Sequence, residues 1–158
     1  MNSKSFTYKE ALAKLEHYCA YQERCHQEVT RKLQTMGMIP EVRDMIISQL
    51  IQNNYLNETR FAQAYARGKF RIKRWGRLRI TRELKNRRIS DWNIQKALTE
   101  IPEQDYQQQL EALVEEFWNK NEKHPYWNRK QKVLQAMQYR GWEMDLVQQV
   151  LSRFKNDS

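Results

Sequence analysis

NETRFAQAYARGKFRIKRWGRLRITRELKNRRISDWNIQKALTEI, residues 57–101, holds the pattern on which the fold turns. Asn57 is suited to cap a helix, and Glu58 places an acid in the first turn, where the helix dipole favours it. Phe61, Ala62, Tyr65 and Ile72 then mark the apolar stripe of a long helix, which Trp75-Gly76 breaks. Ile80 and Leu84, four apart, mark a short helix. Ser90 or Asp91 caps a third, with Trp92, Ile94, Leu98 and Ile101 as its apolar positions and Pro102 as its stop.

The same order recurs on both sides. Upstream, Thr7 or Ser5 caps a helix carrying Tyr8, Leu12, Leu15 and Cys19, with a break at Gln22–Arg24. Val29, Leu33 and Met36 mark a short helix that Gly37 closes. Pro40 suits the first turn of a helix with Val42, Ile46, Ile47, Leu50 and Ile51, fading at Asn53–Asn54. Downstream, Leu110, Leu113, Val114, Phe117 and Trp118 lie on one helix, and His124-Pro125 interrupts it. Val133, Leu134 and Met137 mark a short helix closed by Gly141. Trp142, Val147, Val150, Leu151 and Phe154 make the last, and Lys155–Ser158 is expected to fray. Val29–Leu33, Ile80–Leu84 and Val133–Met137 hold equivalent places, as do Ile46–Leu50, Ile94–Leu98 and Val147–Leu151. The expectation is an all-α protein of three tandem three-helix repeats, residues 1–56, 57–104 and 105–158, in an elongated, curved row. Each unit is small, so neighbours should pack against one another.

Composition sets bounds on function. Of 158 residues, 40% are hydrophobic, too many for a disordered chain, and only four are Gly and three Pro, little material for hairpin turns. No apolar run is long enough to cross a bilayer and the N-terminus lacks an apolar signal core, so a cytoplasmic protein is expected. Cys19 and Cys25 are too few for a disulfide framework. A zinc reading of His17, Cys19, Cys25 and His26 fails on spacing, because His17 and Cys19 point to different sides of a helix. There is no phosphate-cradling glycine loop, no H-E-x-x-H and no G-x-S-x-G, so neither an enzyme nor a cofactor is expected.

The charge is concentrated. Between Arg67 and Arg88 eleven of twenty-two residues are basic and only Glu83 is acidic, a window of +10 in a chain that nets +9. By unit the net charges are +1, +8 and zero, so the outer two units are expected to serve shape. Arg67, Arg71 and Arg74 recur at i, i+4 and i+7 beside the apolar stripe, and Arg79 and Arg82 at i and i+3 on the short helix. A solvated face usually mixes signs and this one does not, which favours contact with a polyanion. The candidate contacts are Arg67, Arg71, Arg74, Arg77, Arg79, Arg82 and Lys85. If about five meet phosphates of a single strand, the log–log salt slope is about −3.5. Phe70 and Trp75 interleave with them, either stacking on bases or, the favoured reading, packing between repeats.

These residues also carry a resemblance. Leu56-Asn57-Glu58-Thr59-Arg60-Phe61-Ala62 resembles the L-N/D-D/E-x-R-F-A signature that opens the second repeat of the RecX family of bacterial recombination regulators. Lys73-Arg74-Trp75-Gly76-Arg77 leading to Ile80 and Glu83-Leu84 is similar to that family's K-x-x-G-x-x-x-I-x-x-E-L run. Glu28, Lys32-Leu33 and Gly37 resemble its E-L-x-x-K-L-x-x-x-G pattern, with Val29 in place of the commoner leucine. The third repeat matches more weakly, through Lys132, Met137, Gly141 and Val147. Two positions depart from the pattern: Arg88 replaces a glycine that usually closes the short helix, and Arg77 replaces a frequent proline. The resemblance implies a non-enzymatic modulator of RecA that binds the RecA–DNA filament and suppresses ATPase, strand-exchange and coprotease functions. The basic middle repeat is where single- or double-stranded DNA, or an acidic RecA surface, is expected to be met, and a monomer is expected. The alternative is a DNA- or RNA-binding protein acting without RecA, with Ile80–Leu84 and the helix from Asp91 to Ile101 as a helix-turn-helix.

Overall fold

The computed structural model describes residues 5–154, and among these the regular structure is helical throughout. The elements are α1 (Tyr8–Tyr21), α2 (His26–Thr35), α3 (Pro40–Gln52), α4 (Glu58–Arg71), α5 (Arg77–Asn86), α6 (Asp91–Leu98), α7 (Glu103–Lys120), α8 (Tyr126–Tyr139) and α9 (Met144–Leu151). They pack in threes, α1–α3, α4–α6 and α7–α9. The tail from Lys155 to Ser158 lies outside the described residues.

Local chemistry sets the boundaries. Thr7 and Glu10 form a reciprocal capping box, Asn57 accepts the Arg60 amide at 3.0 Å, and Ser90 accepts that of Asn93 at 3.2 Å. Pro40 occupies the first turn of α3. The second helix of every unit ends alike, with one residue at positive φ: Gly37 at 76°, Arg88 at 60° and Gly141 at 83°. Each time the next amide reaches back five residues, Met38 to Leu33, Ile89 to Leu84 and Trp142 to Met137, all at 3.1 Å. This is the closure that suits glycine, and Arg88 adopts it with a side chain.

The expected core pairs are buried except Leu98, which is half-buried while Ala97 takes the inner place. Five other expectations change. Ala11, not Tyr8, completes the α1 stripe. Ile72 is 79% exposed, because α4 stops at Arg71 and Ala66 and Phe70 fill its inner face instead. Trp92 is 65% exposed, its ring held under the Lys96 ammonium. The helix carrying Val133 and Met137 is fourteen residues long rather than short, and Trp142 precedes α9.

The first junction is polar. Arg60 reaches Glu23 at 2.5 Å and the carbonyls of Asn54 and Tyr55 at 3.0 and 3.3 Å. Glu58 accepts the His26 amide across it, and within the middle unit Thr59 donates to Asn93 at 2.6 Å. Leu56 joins the first core, while Phe61, Ala62 and Cys25 join the second. Burial pushes both the Cys19 and Cys25 thiols up to about 11.

The second junction is aromatic and close. Phe70, Tyr106 and Trp142 stack, with Tyr106 and Trp142 centroids 4.4 Å apart, so the middle and third units share one core. The Gly76 amide donates to Arg140 O at 2.8 Å and that of Leu78 to Gly141 O at 3.0 Å. A Cβ on Gly76 would sit 2.4 Å from Gly141 O. Gly76→Ala is therefore expected to cost about 3 kcal/mol by urea unfolding, an overpacking against backbone that has no room to yield; an unchanged midpoint would contradict this junction. Arg88→Gly is expected to gain about 1 kcal/mol by relieving the left-handed backbone, and a loss measured the same way would count against it.

Candidate nucleic-acid interface

The seven candidate cations do not form one free face. Arg67 pairs with Glu100 at 3.4 Å on the edge of α6. Arg74 lies beyond the end of α4, in the left-handed region at φ 58°, so it does not continue the Arg67–Arg71 stripe. Its carbonyl accepts Trp142 Nε1 at 3.1 Å, and its guanidinium reaches Gln109 at 3.2 Å and Glu116 at 2.7 Å. All three partners belong to the third unit.

Arg77 is bound more completely. Its guanidinium lies 3.7 Å from the Tyr106 ring centroid, donates to Glu143 at 3.1 Å and pairs with Glu103. Its amide donates to the Tyr106 hydroxyl at 2.9 Å, and that hydroxyl in turn donates to Glu143. A proline here would have no amide for that bond, so the departure from the family pattern is matched by a partner. Burial first, and the Glu143 hydrogen bond second, raise the Tyr106 phenol far above its ordinary value, keeping it a donor. Burial opposes the Arg77 charge, but the hydrogen bonds to Glu103 and Glu143 outweigh it and the pKa is raised. Arg79 donates to Tyr139 O at 3.2 Å and lies between the rings of Trp75 and Tyr139.

Arg71, Arg82 and Lys85 remain, exposed and without an ion pair to any described residue. Lys73 and Arg88 share that state. Between these groups runs a row of cations and rings. Arg87 lies over Tyr65, Lys69 over Tyr65 and Trp75, and Arg79 over Trp75 and Tyr139, with centroid distances of 4.1–5.3 Å. Lys69 has its ammonium pKa lowered, by burial first and then by Lys73, Arg87 and Arg79 around it. Phe70 is buried at the second junction, and Trp75 is half-buried edge-on to Tyr65. In sequence Tyr65 reads only as part of the apolar stripe, and Lys69 and Arg87 only as part of the basic window. Lys69 follows Tyr65 by one helical turn, a spacing that signals the pair; the approach of Arg87 depends on how α5 folds back on α4.

The geometry defines a class: tandem three-helix units with an unpaired cationic edge on the middle one. The RecX second three-helix domain matches residues 57–98, and the RecX third three-helix domain matches residues 103–151. Together these cover more than half of the chain, which belongs to the RecX family. A regulatory protein RecX of Lactobacillus johnsonii is 28% identical over 141 residues, 89% of this chain and 52% of its own length. One from Bacillus cereus is 26% identical over 140 residues, with the same coverage. The chain thus spans about half the length of the curated relatives it matches. Among solved structures, RecX from Lactobacillus salivarius superposes with a TM-score of 0.81 at 22% identity, covering 92% of this chain and 95% of its own. Another crystal structure of regulatory protein RecX gives 0.83 at 20% identity, over 92% of this chain and 73% of that one.

The two groups of arginines should separate in stability. Arg77→Ala leaves Glu143 without its cation and is expected to cost about 2 kcal/mol in urea unfolding. Arg82→Ala removes a side chain that touches no partner, and its stability should stay within about 0.5 kcal/mol of the parent. Equal losses for the two would refute the division.

Proposed function

We propose that this chain is a regulatory protein of the RecX type that binds a RecA–DNA filament and suppresses its ATPase, strand-exchange and coprotease activities, acting as a monomer in the cytoplasm and without chemistry of its own. Family membership supports the regulatory role. The observation that carries the contact is the unpaired edge of the middle unit. Arg71, Lys73, Arg82, Lys85 and Arg88 are exposed and uncompensated, and Lys69 is crowded by like charge. A polyphosphate backbone relieves that crowding, and its counterion release favours binding. Arg74, Arg77 and Arg79 contribute by holding the edge in place, with carboxylates of the third unit already neutralising Arg74 and Arg77.

The test is RecA's single-strand-dependent ATP hydrolysis with this protein titrated in. A dose-dependent fall, well below one protein per RecA subunit, is expected. Reversing Arg71, Arg82 and Lys85 to Glu should abolish that fall while leaving far-UV CD unchanged, and the parent's salt slope on single strands should be about −3.5 for five contacts. Unaltered inhibition by the reversed variant would sink the contact assignment. No effect of the parent at equimolar RecA, with DNA binding retained, would favour the DNA- or RNA-binding alternative. On α6 that alternative has only exposed Trp92, Gln95 and Lys96 to offer a base edge, behind an acidic Asp91.

A further inference from the structure

The first unit, nearly neutral by count, carries a second concentration of cations and rings. Lys14, His17, Tyr18 and Tyr21 of α1, Arg24 of the following loop and Lys32 of α2 line an open cavity of about 460 Å³. No carboxylate lines it. Two acids of the adjoining sequence are engaged elsewhere, Glu23 with Arg60 and Glu28 with the Cys25 amide. Arg24 is held ready: its Nε donates to Tyr18 O at 3.0 Å and its guanidinium stacks 3.7 Å from the Tyr18 ring centroid. That leaves its terminal donors with no ion pair among the described residues. Lys32 stands over the same ring at 5.6 Å. Tyr21, at the end of α1, is 79% exposed and is an open stacking surface. A second depression, of about 530 Å³, shares Lys14 and Lys32 with the first, so the two make one trough across α1 and α2.

We propose that this trough binds single-stranded nucleic acid, with the sugar-phosphate chain on Lys14, Lys32 and Arg24 and one unpaired base stacked on Tyr21. A pre-stacked guanidinium offers a fixed fork to phosphate, lysines supply mobile charge, and an exposed ring accepts any base. A duplex keeps its bases stacked internally and gains nothing from Tyr21. An acidic protein surface would use the cations but not the ring. The inference deepens the nucleic-acid part of the proposed function by adding a separate contact, and different residues test the two.

The experiment is fluorescence anisotropy of the full chain with a labelled oligo-dT and with a duplex of equal length, without RecA. Tyr21→Ala should weaken single-strand binding about fivefold or more while leaving duplex binding unchanged. The double variant Lys14→Gln, Arg24→Gln should lower the single-strand salt slope by about 1.4. Bromodeoxyuridine in the oligomer should photo-crosslink to Tyr21. Unchanged single-strand affinity in Tyr21→Ala, equal losses on single strand and duplex, or crosslinks confined to the middle unit would each overturn the trough. If instead the reversal of Arg71, Arg82 and Lys85 leaves DNA binding intact while the trough variants lose it, the middle-unit reading fails and the trough stands. Failure of RecA inhibition alone would bear on the filament reading and not on this site.

Discussion

The stack of Tyr106 on Trp142, with Gly76 pressed against Gly141 beneath it, fixes the rest of the arrangement. Both rings are 1% exposed and lie against Phe70 at the end of α4. The turn from α4 to α5 is thereby held by backbone hydrogen bonds to Arg140 and Gly141. That anchoring decides where eleven basic side chains go. Arg74, Arg77 and Arg79 meet the third unit; Arg67, Lys69 and Arg87 meet partners within the middle unit; the other five meet solvent.

A window of +10 works against its own folding through self-repulsion. The structure meets this in two ways. The third unit supplies Glu103, Glu116 and Glu143 to cations at the turn, and aromatic faces take up Lys69, Arg79 and Arg87. The remaining exposed cations have neither kind of partner, and this uncompensated remainder is the surface we propose for a polyanion. Neutral net charge in the third unit therefore conceals an electrostatic role, and near-neutral charge in the first conceals a cationic trough.

Much of the fold was legible in sequence because it rests on local signals. Caps at Thr7, Asn57 and Ser90, the helix-closing Gly37 and Gly141, and the apolar pairs four apart each act over one or two turns. The signature around Leu56–Ala62 also has a physical reading, since it supplies a cap, a clamp on the first unit and the start of the second core. The errors lie where a long-range contact overrides periodicity. Ile72 continues the stripe in sequence, but the turn that serves the Tyr106–Trp142 stack ends α4 one residue earlier. Arg74 has the right spacing for a helical face and the wrong backbone. No counting of charges along the chain foretells that Glu116 or Glu143 reaches back across the junction, because that pairing exists only once the units are docked.

Hydrogen exchange of the chain, free and on a RecA–single-strand filament, tests the central claim most directly. The account predicts new protection across residues 69–75 and 82–88, while the amides of Gly76, Leu78 and Trp142, already bonded within and across the second junction, stay as they were. Protection confined to α7–α9, with residues 69–88 unchanged, would contradict it.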